Sequence, residues 1–426
     1  MPGATIAARR PSLPRESLIP VLRSYWPALL VLSVPALLPF SRLVELPLLV
    51  MLVLGVRTLV LSGREVLQSE PVRLFALLFG CYWIPGAVSA IDALDPGKSA
   101  SWTLAQLRFV PVGVFIATRI DDRQLRWVLI GTGLIAITWA ADALFQAATG
   151  VNLAGMPRSE ERLNGIFGPT NIKLGHMLAV LAPFALYVAA RGGRSWRTGA
   201  TWLLLAVAIL LIGTRAAWIM FAVVTAGMLW LLGRDRPLRM LGQAAGLLAL
   251  SVILALAAYG TSADFRDRAD RSLQALSGDA GGLNEALTYR LPIWKAALSM
   301  AGDHPANGVG VRSFRTAYPD HAPPDDRWVS EGGSATHAHH VVLEVGAETG
   351  LVGLLGLVIA LAAVLRTMWH APRDSVLQLL ALALLAMIFP LNTHLAFYST
   401  FWSIVCWWFV ALFCRATRSD LRFEAP

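Results

Sequence analysis
Residues 331–353 read EGGSATHAHHVVLEVGAETGLVG, a polar, glycine-rich approach that carries His337, His339 and His340 and turns into an apolar run reaching Leu365. That is the pattern of a water-exposed loop re-entering a membrane helix. Histidine, with an ordinary pKa of roughly 6.5, is the side chain that can take a proton near neutral pH. Three of them at the lip of a bilayer fit one of three roles. One could be a general base; the cluster could hold zinc together with His321 or Glu331; or they could be polar residues at a helix N-terminus near water. Zinc sites usually show HExxH or a Cys/His framework, and the sequence has neither. On a helix starting near His337, His340 and Glu344 share one face, whereas His339 points toward Leu343 and Gly346.

Two arginines are the next candidates. Arg215 sits between Gly213-Thr214 and Ala216-Ala217-Trp218 inside a long apolar stretch. An arginine costs about 2.5–3.5 kcal/mol at mid-bilayer, and its planar fork binds phosphate oxygens in pairs. The small neighbours leave room for a bulky ligand; a guanidinium snorkelling to the interface is the plainer alternative. In YRLPIW (289–294), Arg290 and Trp294 share a helix face four residues apart, though Arg290 could equally be a solvated surface charge. Weaker candidates are Arg162, Asn171, Lys173 and His176 in RLNGIFGPTNIKLGH (162–176). Lys173 and His176 fall just inside an apolar run, where ionisable groups usually face a cavity. Arg108, in another run, could pair with a neighbouring helix.

Elements able to position these residues follow from composition. Of 426 residues, 56% are hydrophobic and 15% charged, far below the roughly 25% charged of soluble domains. The chain therefore reads as an all-α polytopic membrane protein. Its net charge of +9 is not a nucleic-acid footprint. Alternate gaps between apolar runs hold 21 of the 36 basic residues and carry +12, so the rest of the chain sums to −3. The positive-inside rule explains this split and makes the basic gaps cytoplasmic. No cleaved signal peptide is evident, and Cys81, Cys406 and Cys414 read as packing residues.

Twelve apolar runs of spanning length lie near 24–40, 43–61, 73–91, 100–118, 126–147, 172–190, 198–213, 215–232, 238–258, 340–365, 375–391 and 394–414. Both termini then face the cytoplasm. Residues 198–232 as one helix would be about 50 Å long, too long for a bilayer, so a tight hairpin with Arg215 at its outer tip is expected. Trp26, Trp83, Trp102, Trp127 and Trp196 lie near run ends, as an interfacial belt would. The division is into transmembrane helices 1–9 (1–258), a cap (259–337), and transmembrane helices 10–12 with a tail (338–426). The cap carries eight basic and ten acidic residues. Helices are expected over 262–276 and 284–300, with Pro292 at a kink or in a first turn. DHPANGVGVRSF (303–314) reads as turn-forming loop.

Taken together, these motifs resemble a family. His339-His340, nine residues, then Gly350-Leu351-Val352-Gly353 is similar to the H[N/S/Q]-x9-GxxG signature of O-antigen ligases, within the O-antigen ligase/polymerase superfamily. At the position of His340 the family usually carries Asn, Ser or Gln. GTRAAW (213–218) resembles its arginine hairpin. Arg290-x3-Trp294 followed by HP-x2-GVG (304–310) resembles its large periplasmic loop. The helix count and loop position agree over essentially the whole chain.

The resemblance implies a GT-C-type glycosyltransferase of the bacterial inner membrane, with a large helical periplasmic loop and the active site on the periplasmic side. It implies transfer of a glycan from undecaprenyl diphosphate to a sugar hydroxyl of lipid A–core oligosaccharide, with inversion and no metal or other cofactor. His339 would be the base and Arg215 and Arg290 would neutralise the diphosphate. Trp218, Trp294, Arg162, Lys173 and His337 would line the substrate site. Partners are the lipid-linked donor, the lipid A–core acceptor and membrane lipids, with no nucleic acid, and the chain is expected to act as a monomer. An O-antigen polymerase or a protein O-oligosaccharyltransferase would use the same donor. From another class, a polytopic lipid or sugar transporter also has twelve spans, but transporters often show repeats and broken mid-membrane helices, whereas here the polar residues collect at one face.

Overall fold
The computed structural model describes residues 18–159, 162–191, 193–274, 282, 284–285, 287–324, 326–389 and 395–423. Both chain ends, including the basic tail read at Arg9, Arg10 and Arg15, lie outside them. Among the described residues the chain is helical, without strands.

The helices follow the apolar runs. They are α1 (Leu18–Leu37), α2 (Glu45–Gln68), α3 (Glu70–Ser89), α4 (Pro96–Gln106), α5 (Phe109–Arg119), α6 (Asp122–Thr149), α7 (Leu174–Ala190), α8 (Ser195–Ile212), α9 (Arg215–Gly233) and α10 (Pro237–Thr261). The cap follows with α11 (Ala263–Leu273), α12 (Leu291–Asp303), α13 (Phe314–His321) and α14 (Arg327–Ser330). The chain returns in α15 (Val341–His370), α16 (Val376–Met387) and α17 (Thr400–Ala416). Among the described residues, eight helical units are long and apolar enough to cross a membrane.

The expected twelve spans map onto these helices unevenly, for physical reasons. The first two runs form one continuous unit, residues 24–68, bent through a 3₁₀ turn in which Ser41 takes φ 55°. The fourth run is two short helices, α4 and α5. Three others, α7, α16 and α17, are only 10–17 residues long. These are the innermost helices: nearly every residue of α7 is buried, and α16 and α17 are as enclosed. A helix apolar on all sides belongs in the centre of a bundle. By contrast, Ala258 is the single buried residue of the described α10, whose flanks are left for lipid.

Residues 198–232 form the expected hairpin. Gly213 closes α8 in the left-handed conformation (φ 74°), Thr214 turns the chain, and α9 opens on Arg215. The basic gaps gather at the opposite end of the bundle: Arg373 meets Asp235 at 2.9 Å and Arg415 meets Asp122 at 2.9 Å. Arg108 pairs with Glu45 of α2 at 2.9 Å. The aromatic belt holds only in part. Trp26, Trp127 and Trp196 are exposed, but Trp102 is buried with its indole N–H on the Tyr398 carbonyl, and Trp83 donates to the Thr103 carbonyl. Position near a run end does not tell an indole anchoring in lipid headgroups from one bracing two helices.

Candidate active site
The lip of α15 is built differently from the expected early helix start. The helix begins at Val341, not near His337, and His340 is its N-cap, its Nδ1 facing the Leu343 N–H at 3.4 Å. The His340 ring also packs edge-on against Trp294, with centroids 5.7 Å apart. His339 lies outside the helix with φ 54°. Left-handed backbone at a non-glycine residue costs on the order of 1–3 kcal/mol and persists only where surrounding structure imposes it. The His339 ring rests on that of His337, with centroids 3.9 Å apart. His337 is buried, with Nδ1 on the Thr336 hydroxyl. Burial, then the neighbouring His339, Arg290 and Arg312, hold its imidazole well below the usual histidine range, so it is neutral at pH 7.

Arg290 precedes α12, and Pro292 occupies the first turn rather than a kink. Thr288 and Tyr289, immediately before it, both take positive φ (59° and 57°). A β-branched residue in that region is a genuine outlier. Arg312 (φ 66°), in the turn before α13, is a fourth such residue in this part of the chain. The Thr288 hydroxyl accepts from the Arg215 guanidinium, which also donates to Ser272 Oγ at 3.1 Å. The hairpin tip and the cap are thus tied together. Burial, then the charges of Arg215 and Arg162, push the Arg290 guanidinium down to about 10. It stays cationic at neutral pH, inside a group of like charges.

Arg162 and Arg290 both act electrostatically on His176, which is fully buried in the first turns of α7. Sequence reading gave little weight to this histidine because a helix mouth rich in polar residues explained it equally well. Arg268 of α11 was missed altogether. It is buried, and its guanidinium lies where a Cβ on Gly213 would fall, packed against the left-handed glycine that closes α8. Nothing in ADFRDRADRSL marks Arg268 out from Arg266 or Arg271 before the fold is known.

The remaining expected residues are placed as follows. Trp294 donates its indole N–H to the Ala338 carbonyl at 3.0 Å and so braces the histidine loop. Trp218 donates to the Ile209 carbonyl and packs on Phe265, stiffening the hairpin tip and its contact with α11. Lys173 lies over the Phe401 ring at 4.2 Å, at the mouth of α7 and α17. His321 is directed at Asp303, 3.3 Å away, not at the histidine cluster. Among the described residues no three His, Cys, Asp or Glu side chains gather at metal-ligand spacing.

The glycine motifs turn out to be a joint. Within α15 the helix is interrupted at Gly350 (φ 60°, ψ −155°). The 304–310 turn inserts at this break. Leu351 N–H donates to the Pro305 carbonyl at 2.8 Å, Val352 N–H to Ala306 at 3.1 Å, and Val309 N–H to the Ala347 carbonyl at 2.8 Å. A Cβ on Gly308 would lie 2.4 Å from the Glu348 backbone and one on Gly350 2.5 Å from Ala306. Two carboxylates buried in α15 complete the joint. Glu348 accepts from the Arg312 N–H at 2.5 Å, and Glu344 from the Phe397 N–H at 2.8 Å.

The arrangement therefore brings cationic side chains from the 162–171 loop, the hairpin tip and the cap beside two imidazoles in close, tilted contact. Residues 199–358 match the family described as O-antigen ligase. Over these residues the chain is similar to the O-antigen ligase superfamily. The matched stretch runs from α8 through the cap to the middle of α15 and contains Arg215, Arg268, Arg290, His337 and His339; Arg162 and His176 precede it. No curated protein matches the chain. This match, with the apolar helices, supports a membrane enzyme of the ligase/polymerase type.

Proposed function
We propose that the protein is an O-antigen ligase. It would move a glycan from undecaprenyl diphosphate to a sugar hydroxyl of the lipid A–core oligosaccharide. The reading places twelve spans in the bacterial inner membrane, both termini in the cytoplasm, and the cap, hairpin tip and histidine lip on the periplasmic side. The observation that carries it is the grouping of Arg162, Arg215 and Arg290 from three distant segments: Arg215 bonds Thr288, two residues before Arg290, and Ser272, and after burial the charges of Arg215 and Arg162 lower the Arg290 pKa. Like charges are brought together against their own repulsion where an anion is to be held, and a diphosphate is such an anion.

In the reaction the acceptor hydroxyl attacks the anomeric carbon from the face opposite the diphosphate. The new glycosidic bond forms as the sugar–phosphate bond breaks, with inversion and no covalent enzyme intermediate. The hydroxyl proton passes to His339 and then to water. The electron pair leaves with undecaprenyl diphosphate, whose growing charge Arg215 and Arg290 neutralise. His340, engaged as an N-cap, is the poorer candidate for the base. The family's usual Asn, Ser or Gln at its position fits this division, since Asn and Ser are good N-caps.

The decisive experiment is reconstitution of purified protein with lipid-linked glycan and lipid A–core. Transfer to lipid A–core supports the ligase. Elongation of a second lipid-linked glycan would make it a polymerase, and movement of either lipid without bond exchange would make it a transporter.

A further inference from the structure
At the end of the bundle away from the cap, a cavity of about 570 Å³ opens between the last turn of α15, the first turns of α3 and α16 and the end of α17. That is within the usual size of a ligand pocket, roughly 300–1,000 Å³. Arg366, His370 and Arg418 line it together with Glu70 and Asp420. Opposite charges facing one cavity would ordinarily pair. Among the described residues, none of Arg366, Arg418, Glu70 and Asp420 makes an ion pair within 4 Å. At the same end of the bundle, Arg373–Asp235 and Arg415–Asp122 do pair, each at 2.9 Å. The cavity is thus lined by two guanidinium groups and two carboxylates that do not pair with one another.

Its depth is set by α15. This is the end of a 30-residue apolar helix, and on the same final turns Leu365 is 45% and Trp369 77% exposed. An exposed indole at the end of an apolar helix marks the level of lipid headgroups.

We propose that this cavity binds the headgroup of a membrane phospholipid bearing a primary ammonium, of the ethanolamine type. The phosphate lies against Arg366 and Arg418, and the ammonium donates hydrogen bonds to Glu70 and Asp420. A purely anionic glycerol headgroup satisfies the arginines and leaves the carboxylates facing negative charge. A choline headgroup carries the right charges but has no N–H to donate. The acyl chains run along the exposed side of α15.

The test uses full-length protein in bilayers containing equal parts of ethanolamine, glycerol and choline phospholipids, extracted gently, with retained lipid counted by native mass spectrometry. Ethanolamine lipid should be retained roughly tenfold over either of the others, the scale of one charged hydrogen bond. Glu70→Gln with Asp420→Asn should abolish that preference, each alone reducing it. Arg366→Gln with Arg418→Gln should lower retention of all three lipids roughly tenfold. Arg373→Gln, outside the cavity, should change nothing. Unfolding temperature, measured for every variant, identifies a misfolded protein, and the single carboxylate variants then carry the test. Equal retention of ethanolamine and choline lipids by the unaltered protein would overturn the proposal, as would a preference that survives loss of both carboxylates. Soluble phosphoethanolamine bound as tightly as the lipid would overturn the assignment to a lipid.

Discussion
His339 and His340 are neighbours in sequence and differ in everything that matters for chemistry. His340 is committed to the first turn of α15 and to the face of Trp294. His339 is held in left-handed backbone with its ring on His337. His340→Asn, which keeps the cap, should leave transfer within a few-fold of the unaltered protein. Arg215→Lys should lose roughly 10²-fold or more in turnover, because a point charge replaces a fork that bridges oxygens. A fully active Lys variant would make Arg215 a snorkelling residue. Arg290 invites a test by stability. Its pKa in the folded chain is about 10, below that of the unfolded chain. Below pH 10 the group is charged in both states, so its cost to folding is fully present at pH 7 and is relieved only as pH rises past 10 toward 12. Arg290→Gln should therefore raise the stability of the ligand-free protein, by on the order of 1 kcal/mol, while removing its stabilisation by added diphosphate. A lower unfolding temperature for the ligand-free variant would contradict this. The histidines and these two arginines were legible as residue types in odd company. Arg268 was not, because what distinguishes it is the missing Cβ of Gly213, 55 positions earlier.

At the scale of elements, the hairpin was readable from length and charge alone, since 35 apolar residues cannot cross once. The joint between the 304–310 turn and α15 was not. HPANGVG announces a turn, but the broken helix it enters is invisible in a sequence whose apolar run continues smoothly through Gly350. The joint explains why the glycines sit where they do: backbone meets backbone, and Gly350 has φ and ψ that other residues avoid. Gly350→Ala and Gly308→Ala should each destabilise the protein by about 2 kcal/mol or more, read as a lower unfolding temperature and faster proteolysis of the cap. Retained stability in both would mean that the cap does not depend on this contact. Runs and helices also parted company at α7, α16 and α17. Hydropathy sees a run of apolar residues but not whether its neighbours are lipid or protein.

At the scale of the whole molecule, the bundle presents two chemically distinct ends. One gathers the cap, hairpin tip and histidine lip; the other gathers the basic gaps, the Arg373–Asp235 and Arg415–Asp122 pairs and the mixed-charge cavity. The basic gaps counted in the sequence supply the charges at the second end. Glycan transfer at the first end should continue unchanged after exhaustive chelation, since the proposed chemistry uses guanidinium and imidazole groups alone; lost activity restored by zinc would return the histidines to metal binding. The central claim is that the imidazole of His339 takes the acceptor proton beside arginines that hold the donor. It is tested most directly by single-turnover transfer in reconstituted His339→Ala protein, with donor affinity measured alongside. The account predicts a rate lowered by roughly 10²–10⁴-fold with donor binding intact, and transfer at the unaltered rate would contradict it.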